Sequence, residues 1–306
     1  MGSYLAGRLG YAVFVLWGAI TIVFVTVRVV PGDPAQLMVG AQGTRQDVEA
    51  LRHRFGLDRP LPAQYGSYLG EAARLNFGQS LRLEQPAVDA VAQRIPATAL
   101  LALSAMALAV TASLPLGIVA AVARGSLLDR AVSVVSLVGQ SVPNFWLGIM
   151  FILIFARTLR WLPSAGIGGL EHLILPAVSL ALLVIGVLTR LVRSGLVDVI
   201  HEDYVRTAYA KGLALRSVIV RHALPNALIP VVTVAGLQLG HLLAGAVIVE
   251  TVFAWPGVGR LLVDAISNRD YPVVQVAVLL ITAGFILVNL LVDLSYAYLD
   301  PRIRYR

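Results

Sequence analysis

Cysteine is absent from these 306 residues, and lysine occurs once, at Lys211. Without a thiol the chain can build no disulfide framework, no cysteine-ligated zinc or iron–sulfur site and no thiol nucleophile. Charge of either sign is sparse, 13% of residues against the roughly 25% usual in a soluble domain. With 58% hydrophobic residues and a mean hydropathy of +0.80, a soluble globular fold is excluded. Short catalytic motifs are missing too. Lys211 precedes Gly212 outside the G-x-x-x-x-G-K-[ST] frame, so there is no P-loop to cradle nucleotide phosphates. Gly257-x-Gly259 runs into Arg260-Leu261-Leu262 and fails the dinucleotide pattern, and His201-Glu202 continues as Asp203-Tyr204 rather than as H-E-x-x-H. G-x-S-x-G does not occur, and Asp293 alone lies at the margin of an apolar run, where an intramembrane protease needs paired aspartates. No catalytic residue, metal site or cofactor is expected on this chain.

What is present is a set of long runs without Asp, Glu, Lys or Arg. They cover 9–27, 95–123, 131–156, 172–189, 222–249 and 271–292, with lengths of 19, 29, 26, 18, 28 and 22 residues. A helix needs about 20 apolar residues to cross the hydrocarbon core, so an all-α membrane protein with six transmembrane helices is predicted. Arg8 before the first run also fits a cleavable signal peptide, but Val29-Val30-Pro31-Gly32-Asp33-Pro34 follows instead of a small-residue cleavage site. A retained helix is the reading taken. The net charge of +7 is read as arginines flanking membrane spans, not as a nucleic-acid surface.

Orientation follows from the short loops. One side holds Arg124 and Arg130, the six Lys/Arg from Arg190 to Arg221, and Arg302, Arg304 and Arg306 in the tail. The opposite short loops hold Arg157, Arg160, Arg260 and Arg269. The positive side faces the cytoplasm, so both termini are predicted cytoplasmic. The chain divides into 1–94, a first span plus an extracytoplasmic segment, and 95–306, a core of five spans with a cytoplasmic loop at about 201–225. Thr44 to Phe55 is predicted as a short helix capped by Thr44.

Spans two to four carry Pro115, Pro143 and Pro176, each able to kink a membrane helix. Pro143-Asn144 is a candidate for the translocation path. Trp161 is read as an interfacial anchor and Trp146 can serve the same way. Span five is rich in Gly and Ala and holds His241, either a path residue or a hydrogen bond across the bundle. Glu250, Trp255 and Arg260 are placed at the mouth of the path. Glu250 suits a substrate amino group or a gating ion pair, and an ordinary ion pair with Arg260 or Arg269 suits it as well.

Glu202 to Ala227 is polar and basic between two apolar runs, and charge keeps it out of the bilayer. It is expected to form two short helices hinged near Gly212, either an ordinary loop or a surface offered to a partner. The order of Arg206-Thr207-Ala208, three residues, Gly212, and then Leu224-Pro225 resembles the "EAA" signature of ABC-importer permeases. Arg206, Thr207 and Ala208 stand where that signature has Glu-Ala-Ala, and His222 stands where it has an aliphatic residue. These departures fit the peptide-permease branch, which often reads RTARAKG here. Further stretches resemble the same branch: GLDRPLPAQYGSYL, NFGQSLR, SVPNFWLG, Glu250 to Gln275 and Leu299-Asp300-Pro301-Arg302.

The resemblance is to the B-type permease of dipeptide/oligopeptide importers and spans nearly the whole chain. It implies a type I ABC importer permease fold in a bacterial cytoplasmic membrane. It implies a heterodimer with a second homologous permease, two ATP-binding subunits that hold ATP and magnesium, and an extracytoplasmic binding protein that delivers the peptide. On that resemblance Arg206, Thr207, Ala208, Lys211, Gly212, Leu213, Leu224 and Pro225 couple the chain to the ATPases. Nickel chelates, glutathione or another small solute are alternative cargoes. An ion-driven carrier or channel is the competing class, and it would show more ionisable residues deep within spans.

Overall fold

A computed structural model describes residues 2–29, 44–54, 58–80 and 82–299. Pro31 to Pro34 and the Asp300 to Arg302 end of the terminal motif lie outside these residues. Among the described residues the regular secondary structure is helical, apart from one isolated bridge between Gln79 and Pro86. The helices are α1 Gly2–Val29, α2 Arg45–Arg54, α3 Leu61–Ala73, α4 Ala87–Ala92, α5 Ile95–Val122, α6 Leu127–Ser141 and α7 Asn144–Phe151. There follow α8 Leu170–Val199, α9 Asp203–Ala210, α10 Leu215–Ser217, α11 Leu224–Val252, α12 Val258–Ser267 and α13 Tyr271–Leu299. Two π-helical segments extend this set, Ile152–Thr158 after α7 and Val218–Ala223 before α11.

Charge-free runs became helices because a backbone in hydrocarbon must satisfy its own hydrogen bonds. Among the described residues five helices are long and apolar enough to cross a membrane, and the count reaches six if one bent pair is a single span. That pair is α6 with the helix from Asn144 to Thr158, bent by 100°. Here the third predicted span is broken rather than kinked. Pro143 offers no N–H and forces Val142 out of the helical region, to φ −88 and ψ 128. A new helix starts at once, with the amides of Trp146 and Leu147 bonding to the Pro143 carbonyl at 3.0 and 3.1 Å. Pro115 and Pro176 lie inside continuous helices.

The described chain forms two compact units. The first takes the described residues up to Ala97 together with Pro256–Ile286. Ala87 and Val91 of α4, Val258 and Ala265 of α12, and Val273, Val276 and Ala277 of α13 make its apolar centre. Beside it the Ser80 hydroxyl donates to the buried Asp270 carboxylate at 2.5 Å. At the end of α1 the Arg28 guanidinium donates to Gln64 Oε1 at 3.0 and 3.1 Å and lies 3.5 Å above the Phe24 ring. Phe24 packs in turn on Tyr65 and Tyr68. Burial pushes the Tyr68 phenol up to about 12, while the Arg28 charge acts in the opposite direction.

The second unit takes Thr98–Trp255 and, among the described residues, the rest of α13 from Leu287. Helix α8 is its centre, burying Leu175, Leu180, Val184, Leu188, Val192 and Leu196 and packing on α6, α7 and α11. Glycines allow the close approach. A Cβ on Gly117 would stand 2.6 Å from that of Val192, and one on Gly186 would collide with the Ser136 carbonyl. Small residues at such contacts bring backbones together where burial against lipid gains little.

Candidate functional site

The Glu202–Ala227 segment folds as two helical pieces with Gly212 between them. Helix α9 starts with Asp203 in its first turn, a favourable charge at a helix N-terminus. Val205 and Ala208 are buried while Tyr204, Arg206, Thr207 and Tyr209 are exposed, so α9 lies with one narrow apolar edge inward. That edge packs against the π-helical segment, which buries Val218, Ile219 and Ala223. Arg206 stands 3.8 Å from Asp203 on the open face, and the Thr207 hydroxyl donates to the Asp203 carbonyl at 2.9 Å. Lys211 ends the helix. Gly212 follows at φ +75, with nothing within 4 Å of where a Cβ would be. The turn needs a left-handed residue and glycine supplies it without strain. Leu213 is exposed beside it. Leu224 and Pro225 open α11, with Pro225 in the first turn where a missing N–H is harmless.

The other predicted residues fall in two places. Asn144 starts α7, and its Oδ1 is buried with no hydrogen-bond partner among the described residues. Its amide nitrogen stands 4.0 Å from where a Gly245 Cβ would sit on α11. His241, one turn earlier on α11, is exposed on the surface of this chain. Further along, α11 ends in a left-handed turn at Ala254, φ +49. The Trp255 amide donates back to the Glu250 carbonyl at 2.8 Å and the Ala254 amide to that of Thr251, the paired bonds of a Schellman cap. This folds Trp255 inward to 2% exposure next to the buried Phe253. Glu250 is itself fully buried, and its carboxylate accepts the Thr98 hydroxyl at 2.6 Å. Arg260 belongs to the first unit, half-exposed and 3.9 Å from Asp264 one turn on.

Three polar partnerships escaped the sequence reading. Thr98 was hidden as one hydroxyl in an apolar run. The Asn226 side chain donates to the Tyr204 hydroxyl at 2.8 Å, a pair separated by 22 residues. Asp129 takes the Arg193 guanidinium in a two-pronged bridge at 2.5 and 2.8 Å and also accepts the Gly125 amide at 2.9 Å. A signal existed for the last, because Asp129 is the sole acid between Arg94 and Glu171.

Comparison with known proteins places this geometry. Residues 113–305 match the family described as binding-protein-dependent transport system inner membrane component, and residues 1–102 match its N-terminal counterpart. The chain is 43% identical to the di/tripeptide transport system permease protein DppB of Pseudomonas aeruginosa, with 100% of both chains covered. It is also 43% identical to the glutathione transport system permease protein GsiC of Escherichia coli K12, again with 100% of both covered. Among solved structures, an inward-facing form of the MetNI methionine ABC transporter matches with a TM-score of 0.58 at 19% identity, covering 69% of this chain and 96% of that one. At that identity the likeness speaks for the fold. With relatives aligned end to end and the family model covering most of the sequence, the chain belongs to the binding-protein-dependent transport system inner membrane components and is a multi-pass protein of the inner membrane.

Proposed function

We propose that the chain is one permease subunit of an ATP-driven importer that moves di- or oligopeptides across the inner membrane. Full-length identity to a di/tripeptide permease protein carries this reading. Glutathione is the second reading, supported by equal identity to a glutathione permease protein, and glutathione is itself a modified tripeptide. Both termini face the cytoplasm in this reading, which the arginine-rich loops support. A second, homologous permease completes the path, and an extracytoplasmic binding protein delivers the solute. ATP and magnesium bind on two separate ATPase subunits.

The exposed side of α9 with Lys211, Gly212 and Leu213 is the surface the ATPases engage. Supporting this is its construction: Val205 and Ala208 anchor the helix, and Arg206, Thr207 and Lys211 point away from the chain's own core. In the same reading Pro143, Asn144 and His241 are path residues, Glu250 and Trp255 are mouth residues of the second unit, and Arg260 is a gate residue of the first. Glu250 acts by holding α11 to Thr98 rather than by open contact with solute in this conformation.

Affinity purification of the tagged chain in mild detergent, followed by mass spectrometry, tests the assembly. A second permease and P-loop ATPases are expected. A stable homo-oligomer without an ATPase would instead make it a carrier or channel. A ligand screen on the recovered binding protein, with dipeptides, tripeptides and glutathione as probes, then separates the two cargo readings.

A further inference from the structure

We infer that the hydrogen bond between Tyr204 and Asn226 is the mechanical link by which displacement of α9 reaches α11, with the Gly195–Ala227 contact as its pivot. This rests on the reading that α9 is the surface the ATPases move. Along the chain, α9 and α11 are joined by a compliant route. It passes through the Lys211–Ala214 turn with Gly212 at φ +75, three residues of α10, and the π-helical Val218–Ala223. A π-helix is rare and interrupts the regular i→i−4 ladder, and a glycine turn absorbs rotation, so a push on α9 would dissipate there.

The side-chain route bypasses all of it. Tyr204 is in the first turn of α9 and Asn226 in the first turn of α11, and their 2.8 Å bond spans 22 residues of sequence. The next residue, Ala227, is buried against α8. Its carbonyl oxygen lies 3.0 Å and its Cα 3.6 Å from where a Gly195 Cβ would be. Two neighbouring residues at the foot of α11 thus do different work. Asn226 receives the pull, and Ala227 bears on a helix fixed at the centre of the unit. Beyond the pivot α11 extends to Glu250, so a small tilt at its foot becomes a larger displacement near Ile248 and Glu250. Apolar contact alone, Val205 and Ala208 on the π-helical segment, would let α9 slide; the directional bond fixes which residue it carries along.

The chain's lack of cysteine makes the test direct. Spin-label pairs are introduced as Glu202→Cys, at the exposed start of α9, with Leu128→Cys, and as Ile248→Cys with Leu128→Cys, in the full complex with its ATPases. Distances are measured without nucleotide and with magnesium ATP and vanadate. In the unaltered background both pairs should shift. With Tyr204→Phe the Glu202 pair should still shift, while the ratio of shifted to unshifted population for the Ile248 pair falls about fivefold, the weight of one lost hydrogen bond. Asn226→Asp removes the amide donor, but the tyrosine hydroxyl can turn and donate to the carboxylate instead, so this variant should retain the Ile248 shift. Asn226→Leu should lose it, and combining Asn226→Leu with Tyr204→Phe should lose no more than either alone. Full movement at Ile248 in Tyr204→Phe, with ATPases bound as usual, would overturn the link. Failure of any ATPase to accompany the unaltered chain would instead remove the underlying reading, and this inference with it.

Discussion

Two turns in this chain use the same left-handed backbone and are built oppositely around it. Gly212 turns at φ +75 in the open, with no atom near its missing side chain. Ala254 turns at φ +49, between the buried Phe253 and Trp255 and one helical turn beyond the fully buried Glu250. The first turn keeps its neighbours outward and leaves Arg206, Thr207 and Lys211 for something else to bind. The second closes on itself, satisfying its own carbonyls and burying its aromatics. Shared local conformation therefore says little about role; what surrounds the turn decides it.

The contrast can be broken from the closed side first. Trp255→Ala empties a buried aromatic site and should cost about 3–5 kcal/mol, read as a large fall in the detergent melting temperature. Next, Thr98→Val removes the hydroxyl that Glu250 accepts from and should cost roughly 1.5–3 kcal/mol by the same assay. On the open side, Gly212→Ala meets no steric obstacle and should cost about 1 kcal/mol of backbone strain. The protein should stay folded while ATP-driven uptake in membrane vesicles falls, and Gly212→Asp should abolish uptake or ATPase association. Unchanged uptake in Gly212→Asp would remove that turn from coupling. The smallest effect is expected of Ala254→Gly, which relieves the left-handed strain but loosens the unfolded chain, within about 0.5 kcal/mol of neutral.

A third region can be probed by pH. The phenol of Tyr68 is raised in the folded chain, so the neutral form is favoured there. That stability is fully present below the ordinary tyrosine value near 10 and is lost as pH climbs through about 12. Alkaline melting curves should show this loss, and Tyr68→Phe should flatten it.

Span positions were legible because charge is expensive in hydrocarbon: the gap between Arg94 and Arg124 became α5 almost residue for residue, and that between Asp270 and Asp293 became the start and body of α13. Helix continuity was not legible in the same way. Pro115, Pro143 and Pro176 read alike, yet only Pro143 ends a helix, because a break depends on whether neighbouring helices accept the redirected chain. The hinge at Gly212 was readable from the punctuation of a polar stretch. Tyr204–Asn226 and Thr98–Glu250 were not, and Asp129 stood out only as a lone acid without a named partner, since nothing in a single chain's order says which distant group a side chain will face.

By itself, then, the sequence determined an all-helical membrane protein, the placing of its apolar runs, the basic loop and its glycine, since each rests on the local cost of putting charge in lipid or an L-residue at positive φ. Only the tertiary structure decided that Glu250 is buried rather than open, that α8 is the centre of its unit, and that α9 is tied to the foot of α11. Those outcomes are set by which side chains meet across separations of tens to more than a hundred residues, and packing alone makes that choice.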